Sequence, residues 1–208
     1  MAGQFITFEG GEGAGKSTQI RRLAERLSNL GRDVVVTREP GGTPAGEAVR
    51  GLLVSGDVSR WSPLAEALLN YAAREQHLRE VIRPALARGN VVLCDRFMDS
   101  TRAYQGYAGG CAQDFIDTLE ASVVGDTLPG LTLIFDLDPA LGLARAKARA
   151  EAGAEDRYER KGLAFHQGIR EGFRDIARRN PGRCRLIDAG QTVDRVAEDV
   201  WAAVSEVL

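Results

Sequence analysis

Cysteine, histidine and charge of one dominant sign are all scarce in this chain of 208 residues, and each scarcity removes a class of function. The three cysteines, Cys94, Cys111 and Cys184, are odd in number, far apart and in no paired spacing. Neither a disulfide framework nor a thiolate metal site is expected from them, and they read as free thiols in a reducing cytosol. The two histidines, His77 and His166, are isolated from each other, from any zinc spacing and from any candidate nucleophile. Lone histidines of this kind are more often surface or satisfied core residues than ligands. No apolar run reaches the ~18 residues of a membrane span, and the first residues lack the basic and apolar regions of a signal peptide. A cytoplasmic protein with no membrane partner is expected. The 27 lysines and arginines nearly balance 29 acidic residues, which gives no support for nucleic acid as a main partner. Repeats, low-complexity stretches and linkers are missing too, so 1–208 reads as a single domain.

What the chain does have is "GGEGAGKST" at residues 10–18, a complete G-x-x-x-x-G-K-[ST] match. Gly11, Gly13 and Gly15 let backbone N–H groups turn inward around phosphate oxygens. Lys16 can reach the β- and γ-phosphates, and Ser17 offers a hydroxyl to Mg²⁺. An apolar strand candidate, "FITFE", precedes the loop. Ile20, Leu23, Ala24, Leu27 and Leu30 follow it at helical spacing, with Gly31 as the stop. The strand–loop–helix context places bound phosphates at a helix N-terminus. An ATP-binding stretch of Gly10, Gly11, Glu12, Gly13, Ala14, Gly15, Lys16, Ser17 and Thr18 is therefore expected.

Four further apolar runs, at 33–37, 90–95, 131–138 and 184–190, are unbroken rather than alternating, as in strands buried on both faces of a parallel sheet. Helical patterns separate them, such as Leu64, Leu68, Tyr71 and Leu78, or Val193, Val196, Val200, Trp201 and Val204. This alternation predicts a three-layer α/β fold around a five-stranded parallel sheet, with ligands at the carboxyl ends of the strands.

Phosphate loops serve switches as well as kinases. A GTPase switch would carry an [NT]-K-x-D stretch and a D-x-x-G after its third strand; neither string occurs, and Lys16, Lys147 and Lys161 stand in no such context. The serine–glycine signature of an ABC-type ATPase is also missing. A small phosphotransferase with a second, acceptor pocket remains. "TREPGGT" follows the second strand, "CDRFMDSTRAYQG" follows the third, and "YAAREQH" lies on the helix between them, so arginines, aromatics and hydrogen-bonding groups gather at strand ends. An arginine fork can neutralise two phosphates that must approach each other, and Arg96 reads as that clamp, with a structural ion pair to Asp95 or a neighbouring acid as the alternative. Asp95, closing an apolar run, has the position of a strand-end carboxylate that orders Mg²⁺ through its waters.

Together these stretches resemble the thymidylate kinase family. The resemblance runs the whole chain: the phosphate loop with an acid at Glu12, "TREPGGT", "AAR" with "QH", "CDRF", "STRAYQG", "DRYE", and "IDAG" before the last helix. It implies the P-loop nucleoside monophosphate kinase fold, ATP and dTMP as substrates, Mg²⁺ with the ATP, dTDP as product, and a homodimer. By that resemblance Glu12 would accept from the 3′-hydroxyl of the acceptor, and Arg50 and Arg96 would hold its monophosphate. Glu39 would sit near metal and sugar as part of the catalytic set with Lys16 and Arg96. Arg74 would donate to a thymine carbonyl, Thr101 and Gln105 would meet the base edge, and Tyr104 would pack under the deoxyribose. One position departs: the aromatic ring that relatives often stack on thymine, four residues before the base-reading arginine, is replaced by Asn70. The loop also holds no arginine between Gly11 and Ala14, and residues 140–161 are rich in alanine and charge. By the resemblance, that segment is expected to be a mobile lid supplying the missing cation, with Arg149 as the catalytic arginine and Arg145 and Arg157 as lesser partners.

Overall fold

The structure, a computed structural model, describes residues 3–148 and 156–208. Five strands, β1 (Gln4–Gly10), β2 (Val34–Arg38), β3 (Val91–Asp95), β4 (Leu131–Asp136) and β5 (Cys184–Asp188), form one parallel sheet in the order β2-β3-β1-β4-β5. Right-handed crossovers through helices make a parallel pairing of this kind possible. The five runs read from the sequence are these strands, with ends displaced by one or two residues. The expectation of burial on both faces holds for β1, β3 and β4. It fails for β2 and β5, where Val36 and Leu186 are about half exposed, because these two are the sheet's edges.

One face of the sheet is covered by α1 (Lys16–Asn29) and α9 (Val193–Ser205). Ile20, Leu23 and Leu27 meet Val196, Val200 and Val204 over Ile6, Phe8, Leu133 and Phe135. Leu30, on the same helical stripe by spacing, caps α1 and is exposed. The other face carries α3 (Pro63–His77), its π-helical continuation Leu78–Ile82, α4 (Arg83–Ala87), α6 (Gln113–Val123) and α8 (Leu163–Arg179). The remaining helices, α2 (Pro44–Val54), α5 (Met98–Thr101) with the π-helical turn Arg102–Tyr107, and α7 (Pro139–Lys147), stand around the carboxyl ends of the strands.

In α3 the stripe Leu64, Leu68, Tyr71, Leu78 is only partly a core stripe. Tyr71 and Leu78 are buried, but Leu64 and Leu68 are about half exposed. The buried face instead presents Glu66, Arg74 and His77, polar groups that a core accepts only when they are paired. That face looks toward the strand ends, where the site lies. No helix among the described residues is long and apolar enough to cross a membrane.

Candidate active site

The phosphate loop leaves β1 at Gly10 and enters α1 through Gly15, whose φ of 86° is a left-handed conformation that a side chain would strain. Lys16 is buried and its Nζ donates to Gly10 O (3.1 Å) and Gly11 O (2.9 Å), folded back over the loop. Burial and the nearby Arg96 guanidinium push its pKa down. Ser17 Oγ donates to Asp95 Oδ2 (3.0 Å), while Asp95 Oδ1 is buried without a hydrogen-bond partner. A buried carboxylate oxygen left open beside a loop hydroxyl is what a hydrated divalent cation would occupy. The loop is closed from outside by α7: a Cβ on Gly13 would lie 2.1 Å from Gly142 O, and one on Gly142 would lie 2.4 Å from Glu12 O.

Arg96 follows β3 with φ 68°, the only described non-glycine residue at positive φ. Its N–H donates to Phe8 O (2.9 Å), and the next N–H, of Phe97, donates to Glu9 Oε1 (2.7 Å). The side chain then turns back to the loop. Nη1 donates to Gly10 O (3.0 Å) and Ser100 Oγ (3.3 Å), Nη2 to Glu12 Oε1 (2.8 Å), and the guanidinium lies 4.8 Å from the Tyr104 ring centre. Its acidic partner is thus Glu12, not Asp95. Tyr104 Oη also donates to Glu12 Oε1 (2.8 Å). Burial alone would raise the Glu12 pKa; Arg96, Lys16 and the Tyr104 hydroxyl overcome it and hold the carboxyl at about 2. Glu9 behaves oppositely. Burial first, then the neighbouring Asp99, push it up to about 8, although it also accepts from Ser100 Oγ (2.5 Å).

Two cavities meet at Arg96. One, about 280 Å³, is lined by the phosphate loop, Arg38, Asp95 and Arg96. The other, about 120 Å³, runs between α2, α3 and the turn after β3, and is lined by Asn70, Arg74, Phe97, Thr101, Tyr104 and Gln105 among others. Glu12, Glu39, Arg50 and Arg96 line both. Arg50 Nη1 donates to Pro40 O (3.1 Å) beside the cis Glu39–Pro40 bond. Glu39 is buried, and its two oxygens are taken by Arg74 Nε (2.8 Å) and His77 Nδ1 (3.0 Å), so it fixes α3 to the end of β2. His77, with Thr37 on its other nitrogen (2.6 Å), is the satisfied core histidine that its isolation suggested. Arg74 also donates from Nη2 to Phe97 O (3.0 Å) and Thr101 Oγ1 (3.2 Å), which leaves Nη1 buried and unpartnered at the cavity. Such an N–H costs free energy until a ligand accepts from it.

The structure brings together every expected site residue that it describes, except those assigned to the lid. Arg149 lies outside the described residues. Arg145 sits on α7 and its Nη1 donates to Ala189 O (3.3 Å). Arg157 is corrected: it is fully buried, with donors on Leu53 O (3.0 Å), Asp57 O (2.9 Å), Val58 O (3.0 Å) and Glu66 Oε1 (2.6 Å). A fully buried guanidinium with four of its five N–H groups committed to the end of α2 and to Glu66 holds structure rather than meeting phosphate. Asn70 lines the second cavity, and its amide donates to Glu66 O (2.8 Å). The sequence reading missed Glu9 and Glu66. The signal was there for Glu9, an acid within an apolar strand; Glu66, three residues after Pro63, looks like an ordinary first-turn helix acid.

A loop for nucleotide phosphates and a second cavity, joined at Arg50 and Arg96 on a five-stranded parallel sheet, define a P-loop kinase of the nucleoside monophosphate type. The family model described as thymidylate kinase matches residues 8–200. The chain is similar to the thymidylate kinase of Caulobacter vibrioides, 59% identical over 206 residues that cover 99% of this chain and 96% of that protein. It is also similar to that of Bradyrhizobium sp. (strain ORS 278), at 52% over 206 residues covering 99% and 91%. The crystal structure of thymidylate kinase from Ehrlichia chaffeensis superposes with a TM-score of 0.80 at 37% identity, covering 99% of each chain. The chain belongs to the thymidylate kinase family.

Proposed function

We propose that this chain transfers the γ-phosphoryl group of ATP to the 5′-phosphate of dTMP, giving dTDP for dTTP synthesis. The observation that carries the reading is the position of Arg96, shared by the phosphate-loop cavity and the second cavity. There its fork can neutralise donor and acceptor phosphates as they approach. Phosphoryl transfer is mostly positioning and charge neutralisation, so no covalent nucleophile is required. ATP phosphates are held by the backbone of residues 10–18 and by Lys16. Ser17 and, through water, the open oxygen of Asp95 would hold Mg²⁺, which would supply charge neutralisation at the phosphates.

In the acceptor cavity Arg50 and Arg96 take the monophosphate. Glu12, ionised at any physiological pH, accepts from the 3′-hydroxyl, and Tyr104 packs under the sugar. Arg74 uses its unpartnered Nη1 on a thymine carbonyl, and Thr101 and Gln105 meet the base edge. Glu39 acts by fixing Arg74 and bordering both cavities. Phe97 and Tyr158 are rings at this cavity besides Tyr104, and we assign them the cover that Asn70 does not give. Residues 140–161 serve as the lid of a single-domain enzyme, with Arg149 as the cation that the loop lacks. The contact of Gly142 with the loop supports this reading, since it places α7 against the donor site. The exposed Leu52, Leu64 and Leu68 on α2 and α3 support a homodimer, whose setting would be the cytoplasm.

The test is product analysis with γ-labelled ATP and dTMP. Label in dTDP is expected; label only in free phosphate overturns the reading. Lys16→Ala should lower kcat by ~10²-fold or more with the fold retained, because the lysine serves charge rather than packing.

A further inference from the structure

One buried carboxylate stands behind the base edge and belongs to neither substrate. Glu66, in the first turn of α3, is 1% exposed, and four donors converge on it. Oε1 accepts from Arg157 Nη2 (2.6 Å) and Lys161 Nζ (3.2 Å), and Oε2 accepts from Gln105 Nε2 (2.8 Å) and Tyr158 Oη (3.0 Å). Gln105 Nε2 makes its second contact with the same Tyr158 oxygen (3.3 Å).

The consequence concerns the sense of the Gln105 amide. A carboxamide has nearly the same shape either way round, so packing does not decide which end faces a ligand; its hydrogen-bond partners do. A carboxylate facing two cations is an acceptor only. Against it Gln105 must present its NH₂, and its carbonyl oxygen is the end left for the cavity that the residue lines. We infer that Glu66 is a positioning residue for base selection: by fixing the Gln105 amide it presents a hydrogen-bond acceptor to the base edge, favouring pyrimidines with a donor at N3. Thymine and uracil carry N3–H. Cytosine carries a lone pair there, which would face the carbonyl oxygen, and a site built for one hydrogen-bond sense rejects the opposite sense strongly. This inference rests on the placement of Gln105 at the base edge in the proposed function.

The experiment compares kcat/KM for dTMP with that for 5-methyl-dCMP, which keeps the methyl group and reverses the edge. In Glu66→Gln the neighbour can donate or accept, so the Gln105 amide is free to invert. The dTMP preference should fall by ~10-fold or more, in part through a rise in kcat/KM for 5-methyl-dCMP. Gln105→Ala should lose a similar part of the preference, and the double variant no more than either. Equal falls for both nucleotides in Glu66→Gln, with the ratio unchanged, would show that Glu66 only supports the fold and would overturn the inference. A ratio unmoved by Gln105→Ala overturns it together with the base-edge placement of Gln105. A ratio moved by Gln105→Ala but not by Glu66 variants overturns the inference alone. Should Glu66→Gln fail to fold, Glu66→Asp keeps the charge that Arg157 faces but withdraws the oxygens from Gln105, and the same fall in ratio is expected. In the unaltered enzyme, ¹⁵N-labelled at glutamine side chains, the Gln105 NH₂ should be protected from solvent exchange without dTMP; free exchange also overturns the inference.

Discussion

Arg96 keeps a left-handed backbone because the hydrogen bonds on both sides of it leave no relaxed alternative. Its own N–H is held by Phe8 O, and that of Phe97 by Glu9. A non-glycine residue in this region costs on the order of 1–3 kcal/mol, which the surrounding bonds must offset. Glu9 therefore supports Arg96 twice, through Phe97 and through Ser100, whose hydroxyl also accepts from Arg96. Its charge state links this turn to pH. In the unfolded chain Glu9 ionises near 4.5, whereas burial and Asp99 delay ionisation in the folded protein to about 8. Between those values the folded state binds more protons than the unfolded one, so the stability that Glu9 contributes is full below pH 4.5 and declines as pH rises toward 8. Glu9→Gln removes this term. Its stability relative to the unaltered protein should rise between pH 5 and pH 8, followed by urea midpoints at several pH values. A difference that stays flat with pH would refute the assignment.

At the scale of elements, α7 and the phosphate loop touch through two glycines. Alanine at Gly142 would by helix propensity alone stabilise α7 by ~1 kcal/mol. Its methyl group, however, would meet the Glu12 carbonyl at 2.4 Å, a backbone atom that cannot swing aside. Overpacking of this kind costs ~1–3 kcal/mol. Gly142→Ala should accordingly lower Tm and raise KM for ATP more than KM for dTMP; a stabilised variant with unchanged ATP kinetics would show that the helix yields freely. The neighbouring stretch separates two kinds of arginine. Arg157→Met should cost stability, ~3–5 kcal/mol for a broken buried pair and toward the lower figure because Lys161 still faces Glu66. Arg149→Ala should instead lower kcat with dTMP binding and the urea midpoint nearly unchanged. The reverse pattern would remove Arg149 from the mechanism.

The strands were legible because a buried parallel strand is a continuous apolar run, and the phosphate loop because its chemistry fixes both residue types and spacing. Arg50, Arg74, Thr101 and Gln105 had no such local signal; only the order of motifs along the chain pointed to them. Glu66 and Arg157 were misjudged or passed over for one reason. Each is charged, local pattern assigns charge to the surface, and the pairing that permits their burial joins residues 91 positions apart.

For the whole molecule, the cavity between α2, α3 and the turn after β3 holds one buried donor without a partner, Arg74 Nη1, beside the ion pair of Arg96 and Glu12. A ligand that binds only the folded state stabilises it by ~2.7 kcal/mol at a hundredfold excess over Kd. For a chain of this size that corresponds to a rise in Tm of roughly 5–10 °C, about 2–4 °C per kcal/mol. dTMP at that excess should give such a shift in a thermal scan, and no shift would place the acceptor elsewhere. The strand order β2-β3-β1-β4-β5 has a further consequence, in the time course of synthesis. β1 leaves the ribosome before the other four strands and is the middle one in the finished sheet. Its neighbours β3 and β4 begin only at Val91 and Leu131. Until then the newborn chain carries β1 with both edges open, a surface for wrong pairing. The phosphate loop is complete by Thr18, but the carboxylate at Asp95 and the helix that meets it at Gly142 emerge much later. The nucleotide motif is translated well before the groups that complete its surroundings.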